Sequence, residues 1–216
     1  VPVGFTDAVF ESVSGLTTTG ATILSGIDFL PKSVLFYRQQ LQWLGGMGVV
    51  VLAVAILPML GIGGMQLYKA EIPGPMKDAK LTPRIAETAK ALWFIYLFIT
   101  IACALLYWAF GMSMFDAICH SFSTVATGGF STHDASMAYW DNPLIDWTAT
   151  LFILIGGLNF ALHFAVWRGR SLFAYLRDPE FRFFISLFLI YTAIITAGLL
   201  FFHYDFEVDD ALRHSA

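Results

Sequence analysis

Four stretches of this 216-residue chain, 41–60, 91–110, 144–167 and 183–202, run for about the 20 residues that a helix needs to cross a bilayer, and almost nothing in them is charged. The first, second and fourth carry no charge, and the third holds only Asp146 near its start and His163. With no water to satisfy backbone polar groups in hydrocarbon, uninterrupted apolar runs of this length are helices. Buried helices of a large soluble core would need polar faces elsewhere. The chain is 57% hydrophobic and 13% charged, against about 25% charged in a soluble domain, and does not supply them. The fold class is therefore an all-α polytopic membrane protein.

Two amphipathic stretches, 6–16 and 114–125, are too short to span and read as re-entrant helices. Each has an Asp near its start, Asp7 and Asp116, where a negative charge suits the positive end of a helix, and each runs into Thr and Gly. The connection between the first two spans carries Lys69, Lys77, Lys80, Arg84 and Lys90; that between the last two carries Arg168, Arg170, Arg177 and Arg182. Nine of the twelve basic residues thus share one side, which the positive-inside rule makes cytoplasmic. Residues 61–90 are expected inside and His133 outside. Eleven of the sixteen acids, among them Asp28, Asp134, Asp141, Asp205 and Glu207, fall on the outer side, where their field raises the local cation concentration. No basic run suits a nucleic-acid backbone.

The pattern repeats. Asp7, Ala8, Ser12, Ser14, Thr18 and Gly20 meet Asp116, Ala117, Ser121, Ser123, Thr127 and Gly129 at a constant spacing of 109, and Gly45-Gly46 meets Gly156-Gly157 at 111. Asp210-Ala211 with His214-Ser215 begins the motif a third time. The repeating unit is a span, a re-entrant helix, a Thr/Gly-rich turn and a second span, so tandem units imply a pseudo-symmetric ring about an axis along the membrane normal. The boundaries read 1–61 for a first repeat without its first span, 62–90 and 169–182 for cytoplasmic connections, 91–168 for a complete second repeat and 183–216 for the start of a third. Two loops do not close a ring, and the chain opens at Val1 with no initiator Met and no charged segment ahead of an apolar core that would mark a signal peptide, so it reads as a piece of something longer.

The turns carry the chemistry. Thr17-Thr18-Thr19-Gly20-Ala21-Thr22 and Ala126-Thr127-Gly128-Gly129-Phe130-Ser131 have the small residues that let a backbone run extended with its carbonyls turned one way, and Gly accepts the positive dihedrals this requires. Irregular backbone at membrane depth persists only inside protein or along a watery path. Rings of carbonyls there can replace the hydration shell of a cation, and a helix C-terminus adds its negative dipole end. Either turn alone reads sooner as a helix C-cap and turn than as an ion site. The same unit twice, between spans and on the acidic side, favours an ion path. The glycines around Met47 (Gly45, Gly46, Gly48) read as close helix packing.

Taken together, Ser14-Gly15-Leu16-Thr17-Thr18-Thr19-Gly20-Ala21-Thr22, Gln42-Trp43-Leu44-Gly45-Gly46-Met47-Gly48, Gly63-Gly64-Met65-Gln66-Leu67-Tyr68 with Pro73-Gly74-Pro75, and Thr127-Gly128-Gly129-Phe130-Ser131-Thr132-His133 resemble the bacterial Trk-type potassium uptake proteins. These belong to a superfamily built from four potassium-channel-like repeats. The resemblance implies a selectivity filter that includes Thr18, Thr19, Gly20, Ala21, Thr127, Gly128, Gly129 and Phe130, with potassium on the carbonyls of Thr18, Thr19, Thr127 and Gly128. Gly20 and Gly129 match the family's single filter glycine, and Gly128 is an extra one. It further implies a homodimer in the bacterial inner membrane, a cytosolic nucleotide-binding regulatory subunit, potassium as substrate with no cofactor, and a gating loop in a third repeat that falls outside these residues.

Other polar residues carry less. The five histidines show no metal-ligand spacing, Cys103 and Cys119 form neither a disulfide framework nor a metal motif, and no catalytic motif is present, so no enzyme is expected. His163 is either functional or a neutral imidazole bonded to a neighbouring helix. Arg38 is expected to snorkel to the headgroups rather than support a filter. Trp93, Trp108, Trp140, Trp147 and Trp167 read as interface anchors. The competing functions are an ion-coupled transporter with alternating access, which predicts spans broken midway, and a non-conducting scaffold.

Overall fold

A computed structural model of the chain describes residues 3–51, 81–169, 171–202 and 208–215, and every regular element among them is helical. Besides short 3-10 turns at Ile27–Phe29 and Ser136–Tyr139, these are in chain order α1 (Phe5–Leu16), α2 (Lys32–Val51), α3 (Leu81–Ala109), α4 (Met114–Val125), α5 (Pro143–Gly157), α6 (Phe160–Gly169), α7 (Phe173–Arg177), α8 (Pro179–Phe202) and α9 (Val208–Ser215). Lys69, Lys77, Lys80 and the Gly63 to Pro75 motifs lie outside the described residues.

The short helices α1 and α4 each have 12 residues and an Asp in the first turn, Asp7 and Asp116. In α4 the Ser113 side chain caps the helix by accepting from the Asp116 backbone N–H at 3.1 Å, which satisfies one of the orphan donors of the first turn. α4 packs against α2, α3 and α5, and α1 packs against α2. The core is a stripe of α3 facing α4 and α5. Tyr96, Thr100, Cys103 and Tyr107 fall three and four residues apart and are all buried, against Ala117 and Val125 of α4 and Ile145, Ala149 and Phe152 of α5. Lipid is as apolar as these side chains, so polar pairs and close packing must hold the helices together. Tyr107 and Thr124 share a hydroxyl hydrogen bond of 2.8 Å, Tyr96 donates to the Trp43 carbonyl at 3.1 Å, and the Trp43 indole donates to Thr100 at 3.0 Å.

Two spans begin earlier than their apolar runs. α2 starts at Lys32, because Pro31 ends the preceding turn and its carbonyl takes the first helical N–H groups of Val34 and Leu35. α3 is already helical at Leu81, the first residue described after 51, ten residues ahead of its apolar run. The third span differs in kind. The stretch 144–167 is not one helix but α5 and α6, with a 93° bend between their axes. The break follows Gly156-Gly157, poor helix formers, and the Ile155 carbonyl, which takes the Leu158 N–H at 3.3 Å, also accepts from the His163 Nε2–H at 3.0 Å. A carbonyl can only accept, so His163 Nδ1 is the ring's acceptor, taking the Tyr175 hydroxyl proton at 2.6 Å. Of its two readings, His163 is the imidazole bonded between helices.

α8 presents a largely exposed apolar surface, with Phe183, Leu189, Ile194 and Phe201 all more than half exposed. From its far end α9 returns toward α5, where Arg213 holds both Asp141 and Asp146 at 2.6 Å.

Candidate ion path

Each short helix ends in a left-handed turn of the same design. Thr18 (φ 55°) and Gly20 (φ 75°) in the first loop correspond to Thr127 (φ 53°) and Gly129 (φ 81°) in the second. A threonine with positive φ is uncommon and costs about 1–2 kcal/mol. Its occurrence twice at one register marks a backbone shape that the surroundings impose. In a regular strand successive residues face opposite sides. Reversing the hand at every second residue instead brings neighbouring carbonyls toward one side. The carbonyls of Thr18, Thr19 and Thr127 accept no hydrogen bond among the described residues, whereas Ala21 accepts from the Ser14 hydroxyl at 2.6 Å and Gly128 from the Gln42 amide at 2.8 Å.

The glycines that follow are held for a matching reason. A Cβ on Gly45 would lie 2.0 Å from the Leu16 carbonyl oxygen, and one on Gly156 would lie 2.5 Å from that of Val125. Each second span therefore presses a bare backbone against the last carbonyl of its own short helix. Gly46 meets the other repeat instead, where a Cβ would fall 3.0 Å from the Ala126 side chain. The packing reading holds for both, while Gly48 has nothing within 4 Å.

The two loops also touch each other. A Cβ on Gly20 would sit 1.9 Å from the Gly128 carbonyl oxygen, so the backbones meet with no room for a side chain. Gln42, fully buried on α2, closes a two-point clamp on the second loop by donating to Gly128 and accepting from the Phe130 N–H at 3.2 Å.

Arg38, one turn before Gln42, does not snorkel. It is 3% exposed, pairs with Glu11 at 2.8 Å, donates to Thr22 Oγ1 at 3.2 Å and to the Ser131 carbonyl at 3.3 Å, and stacks its guanidinium 4.2 Å over the Phe130 ring. A buried guanidinium needs a carboxylate and several acceptors, and α1 with the two loops provides them. Glu11 in turn accepts from the Thr22 hydroxyl at 2.9 Å and the Ile23 N–H at 3.2 Å.

At the register of Glu11 and Thr22 the second repeat has His120 and Ser131. His120 Nδ1–H donates to the Asp116 carbonyl at 2.9 Å, leaving Nε2 to accept the Ser131 hydroxyl at 3.0 Å. Burial pushes the His120 pKa down to about 4, and it is neutral at physiological pH. Above the loops, His133 Nδ1 pairs with Asp28, whose carboxylate also accepts from the Asp134 N–H at 3.2 Å. The His133 hydrogen bond holds the Asp28 pKa below its ordinary value.

The structure thus brings all eight sequence-predicted residues into two adjoining loops. Glu11, Arg38, Gln42 and His120 were not singled out as their support. The signal for one pair was present, because Glu11 and His120 fall at the same spacing of 109 as the matched serines.

Comparison with known proteins gives the family. Residues 1–204 match the TrkH family, described as cation transport protein. The Trk system potassium uptake protein TrkH of Halomonas elongata is 62% identical over 210 residues, covering 97% of this chain and 43% of the relative. That of Escherichia coli K12 is 63% identical over 198 residues, covering 92% and 41%. The crystal structure of the potassium transporter TrkH from Vibrio parahaemolyticus superposes with a TM-score of 0.84 at 52% identity, over 99% of this chain and 42% of that one. The chain spans less than half the length of these relatives.

Proposed function

The chain belongs to the TrkH family of cation transport proteins, and from that premise we propose that it supplies two adjoining filter loops to a potassium uptake pore of four pseudo-equivalent repeats. The observation that carries the reading is the duplicated left-handed backbone at Thr18/Gly20 and Thr127/Gly129, set at the C-termini of two short helices whose dipoles favour a cation. Potassium is coordinated by the carbonyls of Thr18, Thr19 and Thr127. Gly128 joins them when its hydrogen bond to Gln42 opens. Gly20, Ala21, Gly129 and Phe130 complete the two turns. The acidic outer residues concentrate the ion, and backbone carbonyls replace its water shell. The full protein is proposed to be a homodimer in the bacterial inner membrane under a cytosolic nucleotide-binding subunit, with residues 62–90 on the cytosolic side.

The bent span α5–α6 gives one point in favour of a second reading, ion-coupled transport with alternating access. One experiment separates the two. The full-length protein in liposomes should take up potassium in preference to sodium down a potassium gradient alone. A strict requirement for a proton or sodium gradient would favour coupled transport, and absence of flux under every gradient would favour the scaffold.

A further inference from the structure

The ion path described above has a support that belongs to neither loop. Arg38 projects from α2 between them. On one side its Nε meets Glu11, which holds the Thr22 hydroxyl and the Ile23 N–H of the first loop; on the other, its Nη1 reaches the Ser131 carbonyl and its plane covers Phe130 of the second. Both charges are nearly out of solvent, at 3% for the Arg38 side chain and 9% for that of Glu11. A pair so placed is geometrically fixed, since a buried guanidinium that loses one acceptor leaves an unpaired donor in a medium that cannot replace it. The second repeat has no counterpart, because its short helix carries the neutral His120 at the register of Glu11 and α5 carries Ala149 at the register of Arg38.

We infer that Glu11 and Arg38 form a cross-repeat positioning pair that sets the separation of the two loops, and through it the preference of the path between monovalent cations. This rests on the filter reading, because a fixed spacing matters to selectivity only if the two loops coordinate the same ion. A guanidinium is needed rather than any positive charge. Its planar fork reaches both loops at once, whereas a lysine ammonium at position 38 can satisfy Glu11 but gives up the stack on Phe130 and the bond to Ser131.

The test uses the full-length transporter in three forms besides the wild type: Arg38→Lys, Arg38→Gln, and the double variant Glu11→Gln with Arg38→Gln, which leaves no buried charge unpaired. Potassium and sodium uptake per folded molecule in liposomes gives the preference. Amide hydrogen exchange over residues 17–24 and 126–133 gives the loops independently of transport. The double variant should lose about tenfold in potassium preference, the change that ~1.4 kcal/mol of differential coordination produces, with faster exchange in both loops. Arg38→Lys should lose less preference, with faster exchange confined to 126–133. Well-folded variants with wild-type preference overturn the inference, whether or not exchange rises, and reduce the pair to a fold element. If the wild type itself shows no potassium preference, the filter reading fails; unchanged exchange in the variants would then remove the positioning role too, and faster exchange would retain it.

Discussion

The two loops share a backbone and differ in almost everything that holds it. Both place a threonine and a glycine in the left-handed region at the same register, and both rest on a glycine of the following span that abuts the last carbonyl of the short helix. Behind the first loop stands a buried ion pair, Glu11 with Arg38, whose guanidinium also reaches across to the second; peculiar to the second are a neutral histidine and a glutamine amide. The backbone shape is thus what the repeat reproduces, and the side chains are alternative ways of satisfying it. A charged brace and a neutral one answer differently to substitution and to pH, which makes the comparison open to experiment.

The largest difference is expected at the paired glycines. A residue with a side chain at Gly129 meets only the cost of positive φ, about 1–2 kcal/mol, because nothing lies within 4 Å of its Cβ position. At Gly20 the same cost is joined by a collision with the Gly128 carbonyl at 1.9 Å, so the loops must part. Gly20→Ala in the full-length protein should therefore lose more potassium preference than Gly129→Ala, by about tenfold or more if at least ~1.4 kcal/mol of coordination energy is forfeited. Uptake ratios for the two variants, measured on protein shown to be folded by size-exclusion chromatography, decide it. Equal losses would mean that the contact between the loops is incidental.

The neutral brace should reveal itself by pH. His120 has a folded-state pKa lowered to about 4 by burial, against an ordinary 6.5. Between these values the unfolded chain binds a proton that the folded protein refuses, so stability falls as pH drops through the window from 6.5 to 4 and is fully present above it. The linked loss approaches ~3 kcal/mol at the acid end. Thermal unfolding of the detergent-solubilised protein should show this acid-linked decline, and His120→Gln should flatten it. A variant with the wild-type slope would assign the pH dependence to other groups.

Much of this architecture was legible in the sequence. The spacing of 109 placed Thr18 against Thr127 and Gly20 against Gly129, and the backbone dihedrals follow that register. A repeat is legible because it compares the chain with itself, whereas a tertiary partnership is not. Arg38 reads as a snorkelling residue because its carboxylate partner is 27 positions away on another helix, and only the fold brings them together. The bend after Gly157 was hidden for a different reason. Gly45-Gly46 is the same dipeptide at the same register, yet α2 runs through it unbroken. What distinguishes the second site is His163, eight residues beyond Ile155, which adds a second hydrogen bond to the carbonyl at the break. Helix weakness was visible in the Gly-Gly pair; the partner that stabilises the broken form was not.

The smallest expected effect concerns the Gly128 carbonyl, which Gln42 holds at 2.8 Å. Replacing Gln42 by Leu keeps the approximate volume but leaves that carbonyl and the Phe130 N–H without their buried partners, a cost of about 1–3 kcal/mol. The cost should depend on the ion present. A potassium ion can take the place of the lost donor at Gly128 and stabilise the folded state in proportion to its binding; sodium, smaller and more tightly hydrated, substitutes less well. The gain in melting temperature on exchanging sodium for potassium should therefore be larger in Gln42→Leu than in the wild type, although the variant melts lower in both salts. If the gain is the same in the two proteins, the Gly128 carbonyl never reaches the ion.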